Sequence, residues 1–380
     1  MRPQTIGLLA ASLVTGMFLA AVGLVLAWPL FNAPRQDGFK FGPDLVRLAQ
    51  PDVQAPNEQP LAQDELPNVR GAVVPAKEYA LSEPHTHGNL TIFLIHGKDT
   101  MKNRNILTLQ EALNQNVALV HDTGAMLAID NRGNAPFFIQ SGDIVKGGNQ
   151  DRTLPYDMLV PPHTNQVPIA ALCVEQGRSR PRGNELSASF ATSSEQLPGR
   201  QLKLAAYRQS QNDLWNNVRI VQENLARNAG GSVQAPLSQT SLQLSLEHQR
   251  VQGAVQDYLT KLAPSVEGKN DVIGYAAVVN GKIQSADVYA SSAMFRKFWP
   301  KLIRASAVEA VAERQPGAVI IAPETEAVQA FLADAEKGQA FRVEANRSTV
   351  IRHETAQVLL YDTCDPTQQN LVLHRSFLAK

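Results

Sequence analysis

Tyr275-Ala-Ala-Val-Val-Asn-Gly-Lys-Ile283 is the stretch whose reading decides the fold. Asn280-Gly281 lies between apolar residues, and Asn-Gly readily takes the two consecutive left-handed conformations of a type I′ turn. A β-hairpin is therefore expected here. Just beyond it, Ser291 or Ser292 is placed to cap a helix carrying Met294, Phe295 and Phe298. Pro300 should kink or restart that helix before Leu302. Short apolar runs predict further strands near residues 318–321, 340–343, 350–351, 357–360 and 371–373.

Upstream of the hairpin the apolar period is helical. Residues 212–226 and 245–262 read as two helices around a loop at 228–239, and the second places Val251, Val255, Leu259 and Leu262 on one face. Before Pro198, strands dominate. Residues 90–95, 117–121, 126–129, 136–139, 158–160 and 167–174 are short apolar runs, mostly separated by Gly, Asn, Asp and Pro. Thr108-Leu-Gln-Glu111 is a capping-box pattern opening a short helix to Leu113. The expected class is α+β: a β-rich first part, sandwich- or barrel-like, packed with helices and a second strand-containing part.

The N-terminus is of another kind. No charge occurs from Pro3 to Pro34, and Ile6 to Trp28 is apolar or small throughout, long enough as a helix to cross a bilayer. A signal anchor over residues 1–31 is expected, one transmembrane helix with its N-terminus inside. Arg35 and Lys40 just beyond the span pull against that orientation. Residues 32–84 carry eight prolines among polar residues and read as a semi-rigid linker, although apolar clusters at 39–48 and 69–79 also suit chain lying on the domain. Residues 85–380 form the soluble domain, expected on the periplasmic side of the inner membrane.

Thirty-five basic and 35 acidic residues balance, so no global field points to nucleic acid. Cys173 and Cys364 lack CxxC spacing; Cys173 reads as a core thiol, with a Cys173–Cys364 disulfide as the alternative. No GxSxG elbow, HExxH helix, Walker loop or GxGxxG fingerprint occurs, and His353-Glu354 lacks a second histidine. His85-Thr-His87 has spacing for two metal ligands but announces no third. No metal or cofactor is assigned.

Two loops carry the candidate site. Gly147-Gly148 can expose backbone N–H groups in a turn on which Lys146, Gln150 and Arg152 converge, a cradle for an anionic ligand. Glu175-Gln176-Gly-Arg178 follows an apolar strand directly, where a scaffold presents polar groups, and Arg178, Arg180 and Arg182 offer three guanidinium groups to phosphate or carboxylate. Asp143, Asp151 and Glu175 could form an acid/base pair. The competing reading is a glycine-rich turn with structural ion pairs from Glu175 to Arg152 or Arg178. Arg296, Lys297, Lys301 and Arg304 read as a solvated helix face.

Gly142-Asp-Ile-Val-Lys-Gly-Gly-Asn-Gln-Asp-Arg152, Val167-Pro-Ile-Ala-Ala-Leu-Cys-Val-Glu-Gln-Gly-Arg178 and Ile273-Gly-Tyr-Ala-Ala-Val-Val-Asn-Gly-Lys-Ile283 together resemble a bacterial family, the ARG and rhodanese-phosphatase-superfamily-associated protein domain. The resemblance runs from about Leu90 to Leu378. It implies association with ADP-ribosyl-glycohydrolase-like and phosphatase-like partners, and no reaction of the domain's own. The family's first motif is closer to Gly-Gly-Lys-Gln-Asn-Arg; here Gly147, Gly148, Gln150 and Arg152 match, while Asn149 and Asp151 replace the lysine and the asparagine.

The function expected from this reading is a membrane-anchored envelope domain that binds a small anionic ligand or an envelope protein. One alternative is a hydrolase acting on a phosphorylated or ADP-ribose-like substrate, and a second is a purely structural module.

Overall fold

The turn at Asn280-Gly281 joins Val272–Val279 to Lys282–Tyr289, with φ of 52° and 75° at its two central residues. The structure, a computed structural model, describes residues 58–61 and 74–380 apart from 103, 124–125, 186–188, 346–347 and 369–370, all inside the unit Gln50–Lys380. The anchor expected at 1–31 and most of the linker at 32–84 lie outside the described residues. Among the described residues no helix is long and apolar enough to cross a membrane.

The hairpin is the centre of a ten-stranded antiparallel sheet. Its order is Glu58–Pro60, Gln339–Ala345, Ser348–Glu354, Val358–Cys364, Val372–Ala379, Lys282–Tyr289, Val272–Val279, Leu90–His96 and Ala80–Leu81, with His85–His87 also paired to Leu90–His96. Every residue of Val272–Val279 is buried because both faces of the sheet are covered. Tyr275, Ala277 and Val279 join one apolar core, and Ile273, Ala276 and Val278 join another. Gly274 is required at the crossing: a Cβ there would stand 2.3 Å from Asp287 O.

Seven helices are described: α1 (Leu109–Asn114), α2 (Arg200–Tyr207), α3 (Gln211–Asn228), α4 (Leu242–Leu246), α5 (Gln249–Leu262), α6 (Ser292–Ala312) and α7 (Thr325–Ala335). Helices α2 to α6 contribute to the larger core; α7, with Ala76 and Tyr79, covers the opposite face. The capping box holds α1 as its pattern requires, Glu111 N donating to Thr108 Oγ1 at 3.0 Å and Thr108 N to Glu111 Oε2 at 2.7 Å. Ser291 caps α6 through Met294 N.

Residues 107–196 form the β-rich first part. Its seven-stranded sheet runs Thr164–Ile169, Leu127–Asn131, Ala118–Asp122, Ser189–Gln196, Asp143–Gly147, Arg152–Thr153 and Leu172–Cys173; Met158–Val160, Phe137–Ile139 and Leu107–Thr108 form a three-stranded one. They enclose their own core, which includes Val120, Ile129, Phe137, Val145 and Phe190. The chain is α+β.

Four expectations need correction. Of the two outcomes expected at Pro300, a kink or a restart, the restart does not occur, and α6 runs on from Ser292 to Ala312. An internal proline costs about 3 kcal/mol, and burial of Phe298, Leu302 and Ile303 around it, at about 1.5–3 kcal/mol each, outweighs that. Residues 318–321 are not a strand; Val319 and Ile321 are 90% and 79% exposed. The helix expected at 245–262 begins instead at Gln249, because His248 is extended and its ring accepts from Arg250 N, capping α5 after the separate α4. The run 167–174 divides between two strands that pair at different places in the seven-stranded sheet.

Candidate functional site

Strand Asp143–Gly147 turns back into Arg152–Thr153 through Gly148, whose φ of 54° puts it in the left-handed region. A Cβ there would meet the Phe190 ring at 2.6 Å, so the turn lies flat against the first part's core. Strand Leu172–Cys173 pairs with Arg152–Thr153 and delivers Glu175 beside that turn.

The two loops meet through charge. Asp151, fully buried, accepts from Gly147 N at 2.9 Å and from both terminal nitrogens of Arg182 at 2.7 and 2.8 Å. Glu175, also fully buried, accepts from Asp151 N at 2.7 Å, from Arg178 Nε at 2.7 Å and from Ser238 Oγ at 2.7 Å. Arg178 donates onward to the main-chain oxygens of Gly148 and Arg180. Arg182 also donates to Glu185, and Ser241 Oγ approaches Asp151 Oδ2 at 3.2 Å. Burial pushes the Asp151 carboxyl up, and the neighbouring Glu175 charge adds to this against the pull of Arg182. At Glu185 burial acts upward too, but the bonds and charge of Arg182 outweigh it and hold that carboxyl low.

The sequence candidates fall into three groups. Gly147, Gly148, Asp151, Glu175 and Arg178 are brought together, with the expected Glu175–Arg178 ion pair among them. Gln150 and Arg152 stand beside this network: Arg152 donates to Gln150 Oε1 at 3.0 Å and to Cys173 Sγ at 2.9 Å, not to Glu175. Lys146 pairs with Glu247 and Asp143 with Lys301, each at 2.8 Å, so Asp143 is held by a different cation. Lys301 is buried rather than on a solvated face. Gln176 is exposed, its main chain tied in both directions to the Thr240 hydroxyl. Asp143, Asp151 and Glu175 are each at most 1% exposed and already ion-paired or hydrogen-bonded.

Both cysteines are free thiols; burial raises Cys173 despite Arg152 nearby. The His87 ring meets Tyr258 edge-on at 5.1 Å. Among the described residues no group of three or more His, Cys, Asp or Glu could hold a metal ion.

Sequence reasoning missed a second buried cluster. His374 lies between Asp157 Oδ2, at 2.6 Å from its Nδ1, and Asp287 Oδ1, at 3.1 Å from its Nε2. Thr363 donates to Asp157, Lys203 Nζ stands 4.0 Å from Asp287, and Tyr289 stacks on the imidazole at 4.4 Å. Burial works against the charged imidazole, but the Asp157 charge and the hydrogen bonds to both aspartates prevail and raise it to about 9. Asp157, Asp287 and His374 come from the residue before strand Met158–Val160, from Lys282–Tyr289 and from Val372–Ala379, far apart in sequence, so no linear motif could announce them. Serines 238 and 241 were missed because single hydroxyls in a polar loop carry no spacing signal.

No curated protein and no solved structure matches the chain. A sequence profile matches residues 78–377, across both β-rich parts and the helices between them. The chain belongs to the family described as the ARG and Rhodanese-Phosphatase-superfamily-associated Protein domain (ARPP-1).

Proposed function

We propose that this chain is a non-catalytic binding module, tethered to the inner membrane by residues 6–28, that holds an envelope protein on the surface above the locked arginine network. One observation carries the reading. Leu237 is 71% exposed, and it is mounted beside Ser238, which is bonded to Glu175, and near Thr240, which is bonded to Gln176. An exposed leucine on a fixed loop, with the exposed Gln176 tied to the same loop and the exposed Arg180 on the segment that follows it, combines an apolar anchor with polar groups as protein interfaces do. The buried carboxylates below are occupied by arginines, which suits support rather than proton transfer.

The test uses the full-length chain in cells, with a photo-crosslinking residue at position 176 or 237 and, as control, at the exposed Arg219. The expected result is one discrete adduct from 176 and 237, absent from 219 and lost on Arg180→Glu. Equal labelling from all three positions, or none from 176 and 237, would overturn the reading. Protease added to intact spheroplasts tests the location: digestion of the domain supports an outside one, and protection until the membrane is lysed overturns it.

A further inference from the structure

A cleft of about 380 Å³ lies between the start of α2, the strand after the hairpin turn, α7 and the last strand, and shares no lining residue with those loops. Its volume is within the range of small-molecule sites, roughly 300–1,000 Å³. Three cationic side chains line it, Arg200, Lys282 and Lys380, and no Asp or Glu side chain does, although the main-chain oxygen of Lys380, the last residue of the sequence, accepts from Arg200. They come from separate elements, so convergence is a product of the fold rather than of a charge run. Ile283 and Phe331 supply an apolar wall.

The hydrogen bonding of the cleft is incomplete. Gln284, 3% exposed, uses its amide nitrogen on Lys282 O at 3.1 Å, while its Oε1 is buried with no partner. Arg200 gives Nη1 to Lys380 O at 2.7 Å, and its Nε is likewise unpartnered. Buried polar atoms in folded proteins are nearly always paired, and two orphans of opposite type in one cleft mark a place where a ligand completes the bonding after a small side-chain adjustment. Carboxylates stand near these cations without being among the lining residues. Glu309 accepts from Arg200 N at 3.1 Å, Glu354 pairs with Lys380, and Glu313 feels the charges of Arg200 and Lys282. Lys282 is exposed and has no ion pair among the described residues.

We infer that the cleft binds a small organic anion whose carboxylate or phosphate oxygens meet Arg200, Lys282 and Lys380 while a hydroxyl donates to Gln284 Oε1. The carbon skeleton then lies against Ile283 and Phe331. The inference rests on none of the surface used in the proposed protein interaction, so either can fail alone.

Calorimetric titration of the full-length protein in detergent tests it, with malate, succinate, glycerol phosphate and glycerol as probes. Saturable binding of malate or glycerol phosphate, without binding of glycerol, is expected. Preference for one of the two decides between carboxylate and phosphate. Reversing the exposed cation, Lys282→Glu, should weaken binding by about tenfold or more. Gln284→Met keeps the shape and removes the acceptor; it should narrow the preference for malate over succinate, which lacks the hydroxyl. Circular dichroism of both variants checks that they fold. No saturable binding up to about 10 mM of any probe, a concentration at which even millimolar affinity registers, overturns the inference. So does binding that Lys282→Glu leaves unchanged.

Discussion

Arg182 and His374 each lie between two carboxylates, and the difference between the two places separates a local lock from a long-range one. Arg182 joins Asp151 to Glu185, fastening the Gly148 turn to the loop that follows Cys173. His374 joins Asp157, at the edge of the β-rich first part, to Asp287 in the ten-stranded sheet, and thereby ties the two parts. The guanidinium keeps its charge at any working pH, whereas the imidazole can lose its proton. One lock is permanent and the other is conditional.

Removing Arg182 should give the largest effect. Arg182→Ala leaves Asp151 buried beside Glu175 without its main cation, a loss of about 3–5 kcal/mol in chemical denaturation. A loss under about 1 kcal/mol would mean that Arg178, at 3.7 Å from Asp151, takes over. The conditional lock is read through pH. The His374 value is raised from 6.5 to about 9 in the folded state, so its stabilisation is full below pH 6.5 and is lost as pH rises through about 9. The swing is on the order of 3 kcal/mol. Denaturation of the native chain should weaken across that interval, and His374→Gln should flatten the slope; an equal slope in both would place the titration elsewhere. Arg180→Ala should give the smallest effect, within about 0.5 kcal/mol, because this side chain is exposed although it is only two residues from Arg182. That contrast between arginines two residues apart is measurable by thermal melting.

Features that obey short-range rules were legible. Thr108 with Glu111, Asn280 with Gly281, and a serine at 291 or 292 before Met294 each describe a geometry closed within four residues, and each occurs, the last with Ser291 as the cap. The Glu175–Arg178 pair was legible for the same reason. Apolar runs were less reliable: 318–321 has the composition of a strand but no sheet partner, and strands exist only in pairs. The Asp157–His374–Asp287 cluster was invisible because its partners are 217 and 87 residues apart. The orphan Gln284 Oε1 is visible only once its surroundings are known.

The strand order has a practical corollary for shortening the chain. Glu58–Pro60 pairs with Gln339–Ala345 at one margin of the ten-stranded sheet, and Ala80–Leu81 pairs with Leu90–His96 at the other. Both margins are thus hemmed by residues N-terminal to 85, and Tyr79 also bonds Arg375. A chain trimmed to residues 85–380 bares the seven-residue strand Gln339–Ala345 along its open side. An open margin of that length invites strand addition from another copy, so self-association in a trimmed protein reports lost selvedge rather than a native oligomer.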